Sequence, residues 1–301
     1  MSSLLTNSSA MTALQTLRSV STQLSTTQSR ISTGQRVATA ADNAAYWSIA
    51  TSMRADNAAL SAVSDSLGLS AATVDTEYTA LNKVIGDSNS GLTKLQSLLV
   101  QAKTAGVDRS KIQSEITQIQ QDMKNVANAA TFNGVNWLST NASTPTTVNL
   151  VSSFSRVGST PTTSSITVTV ANYSLYTSTT TGILDTVSGS ASVDSLNIGA
   201  LTDSTAHQAI IDTYIAQVTA AINTVSQSAA NLGAIKNRIS NNTEFVKSLM
   251  DSVDRGIGQL VDADMNAEST RLQALQVQQQ LGVQALSIAN QNSQSILSLF
   301  K

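Results

Sequence analysis

The chain has 301 residues, enough for one to three domains, a formal net charge of −2 and only 12% charged residues. That balance supplies no basic field, so neither nucleic acid nor a membrane is expected as a partner. Aromatics at 4% restrict the core to small and aliphatic side chains, as in helical bundles, and the absence of cysteine excludes disulfides, thiolate metal sites and a cysteine nucleophile.

The first segment, MSSLLTNSSAMTALQTLRS, lacks the basic start, apolar run and small-residue cleavage site of a secretory signal. Export, if it occurs, is expected by a route without a cleaved signal. Ala13, Leu17, Val20, Leu24, Thr27 and Ile31, with Leu14 beside them, form a stripe of alternating four- and three-residue steps that ends at Gly34. A second stripe runs from Ile49 through Leu60, Val63, Leu67, Val74, Leu81 and Val84 to Leu95 and Leu98. It predicts one continuous helix with Asp42 as its N-cap. Gly106-Val-Asp108 breaks the pattern. Ser110-Lys-Ile-Gln113 then reads as a capping box, opening a third stripe of Ile112, Ile116, Ile119, Met123, Val126 and Ala130.

The middle differs in kind. Between Ser139 and Ser190, 26 of 52 residues are Ser or Thr, and both prolines fall there, which fits either a small β-rich lobe or a flexible linker. Ile166-Thr-Val-Thr-Val170 alternates as a half-buried strand, with shorter candidates at Thr147–Val151 and Tyr173–Thr177. Asp203-Ser-Thr205 offers N-caps for the longest stripe. That stripe takes in Ile211, Ile215, Val218, Ile222, Val225, Ala229, Leu232, Lys236, Ile239, Thr243, Val246, Met250, Val253, Ile257 and Leu260. Thirteen of these fifteen positions are apolar, so a single helix of roughly 75 Å needing a partner throughout is expected. The last helix carries two apolar series, Leu272, Leu275, Gln279, Gly282, Leu286, Ala289, Ser293, Ile296, Phe300 and Ala274, Val277, Leu281, Ala285, Ile288. Two faces are more than one partner helix needs, so contact with other subunits is expected, with the interior of a single bundle as the alternative. From Leu272 to Phe300 there is no charge, but 14 of 29 residues are Gln, Asn or Ser, which suits a helix buried against protein and not in lipid.

Catalytic constellations are nearly absent. His207, the single histidine, reads as a solvated first-turn residue. Asp262, Asp264, Asn266 and Glu268 resemble the start of a calcium loop, but Ala267 stands where the turn needs glycine and Gln273 where it needs a bidentate glutamate. They read as an acidic stretch before a helix. Gly256-Ile-Gly258 lacks the third glycine of a dinucleotide fingerprint. No enzyme, metal or cofactor is expected.

Several motifs in order resemble bacterial flagellin. They are Ser29-Arg-Ile-Ser-Thr-Gly34 through Asp42-Asn-Ala-Ala, Thr131-Phe-Asn-Gly-Val-Asn-Trp-Leu138, Leu232-Gly-Ala-Ile-Lys-Asn-Arg238, the Asp262/Asp264/Glu268 run and Ala289-Asn-Gln291 through Leu299. The resemblance covers roughly residues 1–140 and 203–301; the middle matches nothing. The pair Tyr46-Trp47 with Ser48–Arg54 is similar to rhizobial-type alphaproteobacterial flagellins, and Trp47 reads as an anchor of a helix seam.

The resemblance implies a mainly α fold: a long antiparallel helical bundle or coiled coil formed by both chain ends, with a small β-rich central insertion. Residues 1–42 are expected as an inner-core helix with 257–301, residues 43–140 as outer-wall helices with 203–256, and 141–202 as a variable Ser/Thr-rich surface lobe. Both termini are expected in one rod, the lobe projecting from its far end. Inner-core contacts between subunits are assigned to Leu14, Leu17, Val20, Leu24, Ile31, Leu272, Leu275, Val277, Leu281, Leu286, Ile288, Ile296, Leu299 and Phe300. The seam within a subunit is assigned to Ile49, Leu60, Val63, Leu67, Ile112, Ile116, Ile119, Ile211, Val218, Ile222, Val225, Leu232, Ile239, Val246 and Val253.

The implied function is a secreted, non-enzymatic filament subunit for swimming motility, exported unfolded through the flagellar type III apparatus. Its implied partners are further copies of itself, with or without other flagellins, an export chaperone, a filament cap and hook-associated junction proteins. Two segments are similar to ones that innate immune receptors read: Ser29, Gly34, Asp42, Asn43, Tyr46 and Trp47, and Leu92, Lys94, Gln96, Ser97 and Leu98. Ala41, Asn43 and Tyr46-Trp47 in the first, and Gln96-Ser97 in the second, depart from the recognised pattern, which argues against recognition. A hook–filament junction protein of the same superfamily, and a coiled-coil type III secretion or signalling protein, are the alternatives.

Overall fold

The computed structural model describes residues 7–141, 144–157, 160–187 and 191–298, with side chains except at 157 and beyond 291. Six helices dominate: α1 (Ser8–Thr33), α2 (Ala44–Ile85), α3 (Gly91–Ala102), α4 (Arg109–Ala129), α5 (Thr205–Val261) and α6 (Met265–Ser298). Between α4 and α5 lie β1 (Ser139–Thr140), β2 (Thr147–Val157), β3 (Thr160–Thr169) and β4 (Tyr176–Thr177). The chain forms two compact units, one of residues up to Ala58 with those from Met250 on, the other of Ala59–Leu249.

In the first unit α1 and α6 pair antiparallel. Asn7 caps α1 by accepting from the Ala10 N–H (3.0 Å), and its Nδ2 donates to the Ala289 carbonyl (2.9 Å). At the other end Arg30 meets Glu268 at 3.1 Å. The α1 stripe is the covered face: Val20 and Thr27 are buried, Ala13, Leu17, Leu24 and Ile31 half-buried. Gly282 lets Leu17 approach the α6 backbone, since a Cβ there would sit 3.1 Å from the leucine Cδ1. Gly34 closes α1 in the left-handed region (φ 69°), which only glycine adopts freely. The chain then pairs with the α5–α6 joint, Arg36 and Val37 N–H donating to the Val261 carbonyl and Ala263 N–H to that of Gly34. Asn43, rather than Asp42, caps α2, its Oδ1 accepting from the Tyr46 N–H (3.1 Å). Asp42 is taken up by the preceding turn, where it accepts from the N–H groups of Ala38 and Thr39.

In the second unit the heptad stripes are the core. Of the eleven α5 stripe positions in this unit, from Ile211 to Val246, only Lys236 is exposed, and it reaches Asp75 of α2 at 2.5 Å. The stripe from Ile49 to Leu98 is not one helix. It breaks after Ile85, and the chain turns through Gly86 (φ 70°) and Gly91 (φ 65°), which no side chain could replace because a Cβ at either would strike backbone. The apolar phase survives the break, since Leu92, Leu95, Leu98 and Leu99 of α3 are all buried. Asp108 caps α4 by accepting from the Ser110 N–H, so the expected box at Ser110 does not form. Gln113 instead accepts from the Ile198 N–H (2.8 Å), and Gln120 donates to the Val193 carbonyl (2.9 Å). These amides tie the extended 191–201 segment along α4.

The middle is a packed β lobe, not a linker. β2 and β3 form an antiparallel hairpin with a bulge between Val151 and Ser153, and β1 and β4 a short parallel pair. Ile166, Val168 and Val170 are buried in the expected alternation. Under the lobe Trp137, Leu138, Leu175 and Leu184 are fully covered. The Phe132-Asn-Gly-Val135 segment is a tight turn with Asn133 and Gly134 both at positive φ, and Asn136 holds the following backbone by accepting from Leu138 and Ser139 N–H at 2.8 Å each. Ser204, as expected, accepts from the His207 N–H at the start of α5.

Candidate assembly surface

The open surfaces lie where the helical pairs are incomplete. Along α6 the first apolar series is turned toward α1: Leu275 is buried, and Leu272, Gln279, Gly282, Leu286 and Ala289 are half-buried. The second is uncovered, with Val277 54%, Leu281 57% and Ile288 60% exposed, and Ala274 and Ala285 exposed between them. A helix with an apolar face of this length in water is unsatisfied in isolation. On α1, Met11 and Leu14 are also exposed.

The inner-core candidates therefore divide. Val277, Leu281, Ile288 and Leu14 are free to meet another molecule. Leu17, Leu24, Ile31, Leu272 and Leu286 are half-covered within the pair. Val20 and Leu275, at 7% and 4% exposure, are closed off by α1 and α6 themselves, so they serve the subunit's own seam. The side chain of Ile296, and Leu299 and Phe300 altogether, lie outside the described residues.

A second apolar patch begins α2. Trp47 is 37% exposed and Ile49 50%, so neither anchors the seam to which the sequence assigned it. The seam there begins with Ala50 and Met53, the latter against Gly256, and continues through Asn57, which donates to Asp254 at 2.5 Å. Tyr46 is exposed too, with the Arg36 guanidinium 5.9 Å from its ring centroid. Of the other residues assigned to the seam, Leu60, Val63, Leu67, Ile112, Ile116, Ile211, Val218, Val225, Leu232, Ile239 and Val246 are buried, and Ile119, Ile222 and Val253 half-buried.

The polar candidates are accounted for locally. Asp264 caps α6 by accepting from the Asn266 and Ala267 N–H groups. Glu268 is buried between Arg30 and Arg271, both meeting its Oε1. No group of three metal-ligating side chains occurs among the described residues. His207 Nδ1 lies 2.9 Å from both the backbone N and the hydroxyl of Thr202. In the second receptor-like segment Leu92 and Leu98 are buried, Gln96 donates to Thr219, and Lys94 lies 3.9 Å from Glu115, leaving Ser97 exposed. In the first, Gly34 and Asn43 serve as caps and Ser29 is exposed.

Two features were missed by sequence reasoning. Arg109 is buried and donates to the Ala102 and Leu201 carbonyls and to Asp203. Glu77 occupies a seam position and is fully buried. Its charge on a stripe position between the apolar Val74 and Leu81 was the available signal.

Long helices from both ends of the chain, paired along their length and with one apolar helix face left open, are the features of a helical structural subunit. The bacterial flagellin N-terminal helical region matches residues 4–143 and the C-terminal helical region residues 215–300. The chain is 44% identical to Flagellin C and 39% identical to Flagellin A of Rhizobium meliloti (strain 1021), and 46% identical to the flagellin of Brucella melitensis biotype 1, each over 100% of both chains. The chain belongs to the bacterial flagellin family, whose members are the structural subunits of the flagellar filament. No helix among the described residues is long and apolar enough to cross a membrane.

Proposed function

We propose that this chain polymerises with copies of itself into the extracellular filament for swimming, the uncovered α6 series of one subunit meeting a neighbour in the inner core. In this reading residues 1–42 and 257–301 form the inner core, 43–140 and 203–256 the outer wall, and 141–202 the lobe facing solvent. The exposed Tyr46–Trp47–Ile49 patch is a second contact between subunits. The chain performs no catalysis. It travels unfolded through the flagellar type III apparatus with an export chaperone, and meets a filament cap and hook-associated junction proteins outside the cell. The receptor-like segment at 92–98 is not read in the folded monomer, because its leucines are buried.

The observation that carries the proposal is the open face of Val277, Leu281 and Ile288. Covering such side chains recovers roughly 1.5–3 kcal/mol each when burial is complete. Purified protein, seeded and given a precipitating salt, is expected to form long filaments by electron microscopy. The triple variant Val277→Ser, Leu281→Ser, Ile288→Ser is expected to stay monomeric with unchanged helical content. Filaments from the variant at the parent's rate would remove α6 from the interface. A wild-type chain that stays monomeric when seeded would favour a junction adaptor.

A further inference from the structure

Glu77 is an anomaly in the best-packed part of the molecule. It sits on α2 in phase with Val74 and Leu81, where every neighbour on the stripe is apolar or small, and it is 0% exposed. Its Oε1 accepts the backbone N–H of Trp137 at 2.9 Å, joining α2 to the strand of chain that enters the β lobe. Its Oε2 is buried without a hydrogen-bond partner, and so is the indole Nε1 of Trp137.

No cation balances it among the described residues. The charged and titratable groups of the surrounding elements are engaged elsewhere. On α2, Asp75 is paired with Lys236 of α5, which also lies over the Tyr78 ring. On α4, Lys124 is paired with Asp194 and lies over Tyr176. In the lobe, Asp185 accepts from the Thr177 and Gly182 N–H groups, and the Tyr173 ring stands 6.4 Å from that of Trp137. None of them exerts a charge effect on Glu77; burial and the Trp137 hydrogen bond are what act on it.

We propose that Glu77 is a proton-linked latch between α2 and the β lobe: it is carried as the neutral acid with its proton on Oε2, and ionisation loosens the junction at Trp137. In the neutral acid the carbonyl oxygen is satisfied by the Trp137 N–H and only an uncharged O–H is left unpaired, which costs less than an unpaired charge. A buried carboxylate would leave a charged oxygen with no donor, which a low-dielectric interior resists. Consistently, burial raises the Glu77 carboxyl from 4.5 to about 7, outweighing the lowering effect of the Trp137 hydrogen bond.

A raised value fixes the sign of the effect. The folded unit holds a proton that the unfolded chain releases above about pH 4.5. The contribution is therefore complete below that pH, declines as pH rises, and is lost through about pH 7. The ratio of folded to unfolded molecules should fall on the order of a hundredfold across the window from this group alone. The same chain thus holds its lobe more tightly in mildly acidic than in alkaline medium.

The test uses the full monomeric chain. In a Trp47→Phe background Trp137 is the single tryptophan, so its emission reports denaturant unfolding at this junction. The midpoint is expected to fall between pH 5 and 8, and Glu77→Gln, which keeps the acceptor but cannot ionise, is expected to flatten that fall. Parallel pH profiles for the two proteins would overturn the latch. A second measurement does not depend on the variant folding: the side-chain carboxyl ¹³C signal of Glu77 in the folded wild type should titrate near pH 7, and a midpoint at or below 4.5 would equally overturn it.

Discussion

The helices α5 and α6 are built from similar residues and meet opposite fates. In α5 one heptad stripe carries the apolar face, and every position on it but Lys236 is at least half-covered within the chain. Phe245 is the one large apolar side chain of α5 left exposed off the stripe. In α6 two phases run side by side and only one is covered. The same contrast separates their partners: α2 and α3 supply a run of fully buried leucines and valines, whereas α1 has only Val20 and Thr27 buried. Here the single heptad of α5 is covered from within the chain, whereas the second apolar phase of α6 is left uncovered. Stability should therefore reside in the α2–α5 unit and the capacity to polymerise in the terminal pair.

The largest test of this division is at Trp137. It is fully buried between α2 and the lobe, so Trp137→Ala should cost about 3–5 kcal/mol, read as a lowered denaturant midpoint. A loss under about 1 kcal/mol would mean that the lobe does not contribute to the core of its unit, and the contrast with the terminal pair would weaken.

Next is Arg109, whose side chain is 6% exposed and whose guanidinium holds the Ala102 and Leu201 carbonyls and Asp203. Arg109→Met keeps the stem and strands those acceptors, so a loss of about 2–3 kcal/mol is expected in the same assay. The pH response separates the ion pair from the carbonyl bonds. The Asp203 carboxyl is held below 3.8, first by the side-chain hydrogen bond from Arg109 and then by the Gly106 N–H. A depressed value means that this stabilisation is present above about pH 3.8 and is lost as pH falls through the folded value. Asp203→Asn should therefore reduce the steepness of acid unfolding below about pH 3.8 and leave the slope between about pH 4.5 and 7, assigned to Glu77, unchanged. A change in that second slope instead would show that the two groups are coupled.

Much of this was legible because the determinants are periodic. The α5 seam, the α1 stripe and the alternation at Ile166–Val170 follow from spacing alone, and the two-faced character of α6 could be read before its exposure was known. What escaped the sequence reading depends on single backbone conformations or long-range partners. The stripe from Ile49 to Leu98 was read as one helix because the heptad phase runs through the break. The run Gly86-Asp-Ser-Asn-Ser-Gly91 was the contrary signal, and its two left-handed glycines decide the matter. At the caps, Asp42 and Ser110 were plausible by residue type. Asp42 is drawn into the turn at Thr39, and Asp108 takes the cap one residue before α4, so a shift of one or two positions decides which acceptor reaches the free N–H groups. At Glu77 the type was visible and its consequence was not, because burial without a counter-charge is a property of the whole core.

Trp47 is the smallest expected effect on the monomer and the sharpest test of the comparison. Its ring is aromatic and large, which led the sequence reading to place it in a seam, yet Ala50 and Met53 occupy that seam and Trp47 is left 37% exposed beside Tyr46 and Ile49. Truncating a surface side chain of this kind should change monomer stability by under about 1 kcal/mol, against the several expected at Trp137. If the patch is a subunit contact, the loss appears elsewhere: Trp47→Ala should need more seed or precipitant to polymerise, since exposed aromatics concentrate interface energy. Measured together, monomer unfolding and seeded growth place the residue on one side or the other. A monomer loss matching that of Trp137→Ala would return Trp47 to the core, and unchanged growth would remove the patch from the interface, leaving the α6 face as the remaining open apolar surface.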